Sequence, residues 1–385
     1  MKIIVAPDAF KGSMSAVQAA RAIERGLKRA MPEAEIVRCP LADGGEGTLD
    51  VFRQTAGSTE CPVPAVDPLG RSLEAPLILL EGGDTAVIEL ARTAGLDLLS
   101  PKERNPLRTS TAGVGMQILR ALDKGVRTVI LTIGGSATND GGMGMIRVLG
   151  GRFLDGDEHE LEGTGGDLLR VVHMDLSGLD SRIAQTEFKV LCDVNNPFYG
   201  PRGAARVYAP QKGADAHTVE ELDRGLVQLA RLIQEKTGVD LQKLPGAGAA
   251  GGFGGGAAAL LGARLVSGIQ EVLEISGFEQ MIEGGALVLT GEGRTDGQTL
   301  EGKVPYGVLQ KTREAGIPLV VLSGSLGEGA NRMLDAGAAG LFSIQREPGT
   351  LESAMSRGEE LLEDAALRIG VLFRELMVLR EQERP

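Results

Sequence analysis

Short apolar runs recur along the chain, and each is followed by a turn rich in glycine or polar residues and then by a helical pattern. A strand that is apolar on both faces is typical of a parallel sheet covered by helices. The predicted strands lie at residues 2–7, 35–42, 126–133, 188–194, 286–291, 318–324 and 339–344. The predicted helices lie at residues 15–30, 111–123, 218–236, 304–315 and about 351–381. This alternation predicts an α/β fold.

The chain has 385 residues, which is enough for two domains. Residues 61–90 break the alternation, because short strands joined by tight turns are typical of an antiparallel patch. The C-terminal stretch alternates as cleanly as the N-terminus. We therefore predict a Rossmann/flavodoxin-like domain with a parallel sheet, built from residues 1–68 plus 286–385. An inserted α/β domain covers residues 69–285.

Charge and composition exclude several functions. The net charge is −12, the pI is near 5.0 and tryptophan is absent, which disfavours binding to nucleic acid or to anionic membranes. No window approaches the length of an apolar membrane helix, and the N-terminus enters a strand without a signal peptide. The expected location is cytoplasmic. The scattered cysteines and histidines do not suggest a zinc site.

Glycine is about twice as frequent as usual, at 56 residues, and it gathers in loops after predicted strands. The first such loop carries Asp8 and Lys11, at the strand end where an open parallel sheet binds its ligand. The second carries Asp43 and Glu46 among three glycines, with oxygen atoms for Mg²⁺ or for a substrate. Each loop alone is also compatible with a simple capped turn.

The loop at residues 134–144 packs small polar side chains between glycines, after the clearest strand. Hydroxyl groups, free N–H groups and a helix N-terminus together predict a phosphate site. The candidate nucleotide-binding residues are Gly134, Gly135, Ser136, Thr138 and Asn139, together with Lys212 from a later loop.

Two further loops carry acids and a guanidinium. Asp193 follows a predicted strand and is a candidate metal ligand or base. Arg294 offers a two-pronged contact to a carboxylate or phosphate. Glu292 and Asp296 on either side of it are candidates to bind metal or to accept a hydroxyl proton.

One familiar nucleotide motif is rejected. Residues 246–251 match GxGxxG, but no strand precedes them, so the βαβ context of a dinucleotide site is missing. Close packing of a helix start explains these small residues better than NAD binding does.

Together the loops resemble the bacterial glycerate kinase family that is unrelated to P-loop kinases. The stretches that carry the resemblance are APDAFKGSMSA (6–16), PLADGGEGT (40–48), IGGSATNDGGMG (133–144), CDVNNPFYGPRGAARVYAPQKGA (192–214), GAGAAGGFGGG (246–256) and LTGEGRTDGQTLEGKVPYGV (289–308). They span nearly the whole chain in order.

The resemblance implies Mg²⁺-dependent transfer of a phosphoryl group from ATP to D-glycerate, in a cleft between two α/β domains. The expected product is 2-phosphoglycerate, with the 3-phosphate and another small hydroxy acid as alternatives. Within this chemistry the catalytic candidates are Asp193, Asp296, Lys11 and Arg294, and Lys11 and Arg294 are expected to hold the substrate carboxylate. Asp8, Asp43 and Glu46 complete the expected substrate site, and the metal candidates are Asp193, Glu292 and Asp296. The sequence leaves a homodimer open.

Overall fold

The structure, a computed structural model, describes residues 1–45 and 47–382. These residues form thirteen strands: β1 (Lys2–Val5), β2 (Glu35–Arg38), β3 (Thr59–Val66), β4 (Ser72–Leu79), β5 (Thr85–Glu89), β6 (Thr128–Thr132), β7 (Arg152–Leu154), β8 (His173–Asp175), β9 (Glu187–Leu191), β10 (Arg264–Val266), β11 (Gly285–Thr295), β12 (Leu319–Leu326) and β13 (Gly340–Ser343).

The same residues form fourteen α-helices: α1 (Ala16–Ala30), α2 (Thr48–Phe52), α3 (Ala91–Ala94), α4 (Ala112–Asp123), α5 (Met143–Val148), α6 (Ala204–Tyr208), α7 (Ala216–Thr237), α8 (Phe253–Leu261), α9 (Gly268–Ile275), α10 (Phe278–Ile282), α11 (Val304–Glu314), α12 (Arg332–Asp335), α13 (Leu351–Ser356) and α14 (Gly358–Gln382). Short 3₁₀ turns lie at Leu96–Leu98, Gly165–Asp167, Ser181–Gln185, Pro210–Lys212, Leu241–Lys243 and Gly297–Glu301.

The chain divides into two compact units, and unit 1 contains residues 1–43 and 269–385. Its sheet has the strand order β13-β12-β11-β1-β2, and all four pairings are parallel. The apolar runs of β1 and β11 are buried because helices cover both faces of the sheet. The sheet joins the two ends of the chain, since β1 and β11 are hydrogen-bonded neighbours.

Unit 2 contains residues 44–268 and has a mixed six-stranded sheet in the order β10-β9-β6-β5-β4-β3. The strands β5, β6, β9 and β10 pair in parallel. The hairpin of β3 and β4 is antiparallel and also pairs antiparallel with β5, as the break in alternation predicts. A small two-stranded sheet of β7 and β8 completes the unit.

The predicted strands are all present, with ends shifted by a few residues, and the largest difference is in β11. It continues to Thr295 because it pairs with β12 along most of its length, so Glu292 and Arg294 lie in a strand and not in a loop. The single helix predicted at about 351–381 is wrong. It is two helices, α13 and α14, separated at Arg357.

The boundaries between the compact units lie at residues 43/44 and 268/269. The predicted domains, 1–68 plus 286–385 and 69–285, place each boundary further along the chain. The first difference arises because β3 pairs with β4 in the sheet of unit 2. The second arises because α9 and α10 group with unit 1. Within the described part of the chain, no helix has the length and apolar character needed to cross a bilayer.

Candidate active site

The strand order of unit 1 reverses between β1 and β11. From β1 the chain continues to β2 on one side, and from β11 it continues to β12 on the other. In open α/β sheets, ligands bind at the carboxyl ends of the strands at such a reversal. Asp8 follows β1 directly, and Glu292 lies near the carboxyl end of β11. The reversal therefore lies between two carboxylates that the sequence singles out.

Asp8 is half-buried, and its carboxylate accepts a hydrogen bond from the backbone N–H of Ala9 at 2.7 Å. Burial raises the pKa of Asp8 well above its ordinary value, and the negative charges of Asp43 and Glu292 raise it further. The hydrogen bond from Ala9 and the positive charge of Lys303 act in the opposite direction. Asp8 is therefore a carboxyl group surrounded mainly by other carboxyl groups.

Glu292 is 5% exposed and accepts hydrogen bonds from the hydroxyls of Thr295, at 2.9 Å, and Thr299, at 2.7 Å. Burial raises the pKa of Glu292, whereas these hydroxyls and the charge of Lys303 lower it. Lys303 is the N-cap of α11. It belongs to the motif that carries the family resemblance but had no assigned role, and the structure places its charge beside two of the acids.

Arg294 and Asp296 form an ion pair, with Nε and Oδ2 3.2 Å apart. The Arg294 side chain is 65% exposed, so most of its guanidinium remains open to a ligand. Asp296 also caps the 3₁₀ turn at Gly297–Glu301, where it accepts from the N–H of Gln298 at 3.0 Å. The structure thus gives Asp296 a local structural task besides any chemical one.

Three other predicted residues of the substrate site lie in the two N-terminal loops. Lys11 is exposed on the loop after β1, and Asp43 is half-buried after β2. Glu46 lies outside the described residues.

In unit 2, the loop at 134–144 joins β6 to α5 and is centred on the fully buried Asp140. The Asp140 carboxylate accepts hydrogen bonds from the N–H and the hydroxyl of Thr111, at 2.8 and 2.7 Å. It also accepts from the N–H groups of Gly142 and Gly144, at 3.1 and 3.3 Å. Burial raises the pKa of Asp140, and these hydrogen bonds oppose the rise. The N–H groups that would meet a phosphate at the start of α5 are thus occupied by this side chain.

Lys212 is 1% exposed and binds the same loop from within the unit. Its ammonium donates to the hydroxyl of Ser136 at 2.8 Å and to the carbonyl of Thr138 at 2.6 Å. Burial lowers the pKa of Lys212 to about 7, and the charge of Asp140 acts in the opposite direction. Lys212 therefore holds the loop in place. Of the two residues that it contacts, Ser136 is the one next to the exposed Gly135.

Asn139 and Thr138 are completely buried, and their side chains have unused hydrogen-bonding atoms. Neither polar atom of the Asn139 amide has a partner, and neither does the Thr138 hydroxyl. An unsatisfied buried amide costs about 1–3 kcal/mol, so native proteins keep few of them. These two residues are candidates to complete their hydrogen bonds with a ligand.

The glycine-rich residues 246–256 pack directly against this loop. A Cβ at Gly256 would lie 2.0 Å from the carbonyl oxygen of Gly141, and one at Gly251 would lie 2.1 Å from that of Thr138. Only glycine permits such an approach of two backbones. The close packing predicted for these small residues is confirmed.

Asp193, the remaining predicted residue, is half-buried just after β9. Both of its carboxylate oxygens accept from the N–H of Gly268, at 3.1 and 3.2 Å. The structure places Asp193 in unit 2, whereas Glu292 and Asp296 belong to unit 1.

Sequence reasoning missed Glu89, at the carboxyl end of β5. It is 1% exposed and accepts from the N–H groups of Leu49, at 2.8 Å, and Gly47, at 3.4 Å. Arg92 pairs with it at 3.2 Å. Glu89 thus anchors the end of the loop that contains Glu46. A single glutamate closing an otherwise apolar strand was the signal for it.

Among residues 1–45 and 47–382, one group of three metal-type side chains has its ligand atoms within 4.8 Å of one another. It is Asp155, Asp157 and His159, and it is largely exposed. Asp155 accepts from the backbone N–H groups of the other two residues, which is the pattern of a tight turn. The predicted metal residues do not form such a group.

Comparison with known proteins points to the same family that the loops resemble. The sequence profile of the glycerate kinase family matches residues 3–374. A glycerate kinase of Halalkalibacterium halodurans is 44% identical over 370 residues, covering 96% of this chain and 97% of that protein. A glycerate 2-kinase of Escherichia coli K12 is 41% identical over 354 residues, covering 92% and 93% of the two chains.

Among solved structures, a Salmonella typhimurium LT2 protein described as glycerate kinase 2 superposes with a TM-score of 0.87. It is 38% identical, and the match covers 98% of this chain and 99% of that one. The fold, the loops and these similarities agree, and the chain belongs to the glycerate kinase family.

Proposed function

We propose that this chain transfers the γ-phosphoryl group of ATP to D-glycerate and releases 2-phosphoglycerate and ADP. Family membership supports the reaction class, and the E. coli relative is named a glycerate 2-kinase. The observation that carries the proposal is the group of carboxylates at the strand-order reversal of unit 1. Its sheet has the order of a flavodoxin-like doubly wound fold, in which that reversal is the binding position.

Unit 1 supplies the acceptor side. Lys11 and Arg294 bind the glycerate carboxylate, because both are exposed and Arg294 keeps most of its guanidinium open. Asp43 is a further substrate contact of unit 1, and Glu46 stays a predicted one. Asp8 joins Asp193 and Asp296 as a candidate for the base that accepts the hydroxyl proton. Its raised pKa brings its proton affinity closer to what a base at neutral pH needs.

The carboxylate donors fit a Mg²⁺ ion. Asp8, Asp43 and Glu292 are hard oxygen ligands, and the negative charges of the last two raise the pKa of Asp8. Mg²⁺ usually takes one or two protein carboxylates, with phosphate and water as its other ligands, so a tight protein cluster is not required. We propose Glu292 as the principal ligand, with Asp193 and Asp296 as the other candidates. The ion would neutralise charge on the phosphates when bound.

Unit 2 supplies the nucleotide side. Gly134, Gly135 and Ser136 form the less buried part of the 134–144 loop and bind phosphate oxygens. Thr138 and Asn139 complete their unused hydrogen bonds when nucleotide is present. Lys212 acts through Ser136 and the Thr138 carbonyl. The cleft between two domains that the family resemblance implies stays a prediction.

³¹P NMR of the product formed from ATP, Mg²⁺ and D-glycerate tests the proposal. The expected spectrum contains ADP and the signal of 2-phosphoglycerate, with no turnover when Mg²⁺ is withheld. A 3-phosphoglycerate signal would overturn the regiochemistry. Turnover with other hydroxy acids but not with glycerate would overturn the substrate.

A further inference from the structure

We propose that residues 355–358, the junction between α13 and α14, act as a brace that positions the acceptor loop, residues 8–15, with Ser13 as the positioning residue. The inference rests on the proposed function, because that function places Asp8 and Lys11 of this loop at the acceptor. The brace lies more than 340 residues away in the sequence from the loop it contacts. No motif links the two.

The brace contacts the acceptor loop through a hydrogen bond and several close approaches. The Ser13 hydroxyl donates to the Met355 carbonyl at 2.6 Å. A Cβ at Gly358 would lie 2.2 Å from the Ser13 Oγ atom, so this side chain fills the space beside the first residue of α14. A Cβ at Gly12 would lie 2.3 Å from the Met355 side chain. The break between the two C-terminal helices therefore coincides with the place where the loop fits against them.

The brace has a fixed position because α14 is held tightly against α1. A Cβ at Gly26 of α1 would lie 2.1 Å from the carbonyl oxygen of Glu363, so the two backbones are close together. Arg25 and Arg29 both pair with the Glu363 side chain, at 2.7 and 3.0 Å. The junction at the start of α14 is thus anchored to the helix that follows the loop.

The other side of the loop lies against β11. The N–H of Asp8 donates to the carbonyl of Gly291 at 2.8 Å, and a Cβ at Gly293 would lie 3.4 Å from the N atom of Lys11. The loop is therefore held between the strand that carries Glu292 and the brace. Movement of the brace would be passed to Lys11, which is two residues from Ser13.

The acceptor loop also forms its own turn, in which the N–H groups of Ser13 and Met14 donate to the Phe10 carbonyl at 2.8 and 3.0 Å. A cavity of about 330 Å³ lies beside the contact, lined by Ser13 and residues 355–360. The Ser13 hydrogen bond and the Gly358 approach join this turn to the C-terminal helices at the edge of the cavity. A misplacement of about 1 Å in a group that positions the substrate can lower the reaction rate about 100-fold.

The test measures KM for glycerate, KM for ATP and Tm for a set of variants. Ser13→Ala removes the hydrogen bond without adding volume, and we expect KM for glycerate to rise about 3- to 5-fold, as loss of one hydrogen bond predicts. Gly358→Ala pushes Ser13 away, and we expect a rise of about 10-fold or more. KM for ATP stays within about 2-fold in both, since the nucleotide side belongs to unit 2.

The double variant S13A/G358A provides the decisive control. Removing the Ser13 hydroxyl takes away the atom nearest to an alanine Cβ at 358, whereas the Met14 Cε atom, 2.5 Å from that Cβ, stays. Part of the loss in G358A is therefore recovered. Gly349→Ala is the matched control, since its added Cβ meets nothing within 4 Å, and we expect it to behave as the unsubstituted enzyme.

Lys11→Ala separates failure of the brace from failure of the proposed function. If K11A leaves KM for glycerate unchanged, the acceptor loop is wrongly assigned. If K11A raises it but S13A does not, the brace proposal is overturned. Equal rises in both KM values, or no recovery in the double variant, also overturn it. Should G358A fail to fold, the result for S13A decides.

Discussion

The sheets of the two units order their parallel strands differently. In unit 1 the order reverses between β1 and β11, whereas in unit 2 the strands β5, β6, β9 and β10 follow one another in chain order. A reversal leaves a crevice at the strand ends, because the connections leave on opposite sides. A sequential order leaves none, so the strand-end loops of unit 2 can pack closely against one another.

Two carboxyl groups show what this difference does. The pKa is raised by burial in both Asp8 and Asp140. Asp140 accepts four hydrogen bonds, two from Thr111 and two from Gly142 and Gly144 of its own loop. Asp8 accepts a hydrogen bond from the N–H of Ala9 and faces the charges of Asp43 and Glu292. A buried carboxylate surrounded by donors organises a loop, whereas one surrounded by other carboxylates is suited to bind a cation or a proton.

The largest effect is expected from a substitution that disrupts the close packing of unit 2. In Gly256→Ala the new Cβ would lie 2.0 Å from the Gly141 carbonyl oxygen, so the backbone must move. We expect the free energy of unfolding to fall by about 3 kcal/mol or more, measured by urea unfolding. In Gly293→Ala of unit 1 the nearest atom is 3.4 Å away, so a loss below about 1 kcal/mol is expected. Equal losses would remove the contrast between the units. Gly156→Ala, with nothing within 4 Å, is the control.

The next effect is expected for Asp140→Asn. The amide places an NH₂ group against one of the N–H donors, leaving at least one buried group unsatisfied. We expect the free energy of unfolding to fall by about 2–4 kcal/mol, with activity lost through disorder of the 134–144 loop. Denaturant unfolding with a circular dichroism readout measures the change. A variant as stable as the unsubstituted chain would show that Asp140 does not organise the loop.

The third effect depends on pH. The pKa of Lys212 is about 7 in the folded chain and near the ordinary 10.5 when unfolded. Between these values the unfolded chain binds more protons, so this group makes the folded state more stable as pH rises from about 7 to 10.5. Lys212→Met lacks that contribution. The free energy of unfolding of the unsubstituted chain should rise relative to that of K212M between pH 6 and pH 9.5. A difference that stays constant would mean that Lys212 titrates normally.

Sequence reasoning predicted the α/β alternation, the antiparallel hairpin of β3 and β4, the glycine packing at 246–256 and the family. These depend on local patterns, or on long matches in order, that a sequence displays directly. The break at Arg357 was missed, and the contacts that Ser13 makes there come from the other end of the chain. The extension of β11 was hidden for a similar reason, since only its pairing with β12 keeps a glycine-rich stretch extended.

Within the site, residue type was predictable but surroundings were not. Lys212 was interpreted as a phosphate contact, whereas its ammonium is buried and holds Ser136. Asp140 had no assigned role among the polar residues of its loop, although it organises that loop. Neither burial nor hydrogen-bond partners can be inferred from spacing, because both depend on segments distant in the sequence.

We propose that the carboxylates at the strand-order reversal serve chemistry and not stability. The most direct measurement is Asp8→Asn, assayed for phosphoryl transfer and for urea unfolding at pH 7. Because the pKa of Asp8 is raised in the folded state, ionising it above its unfolded pKa lowers stability, and that cost is absent in the amide. We predict a folded chain at least as stable as the unsubstituted one, with kcat reduced at least 100-fold. A variant with near-normal kcat, or one destabilised like D140N, would contradict the account.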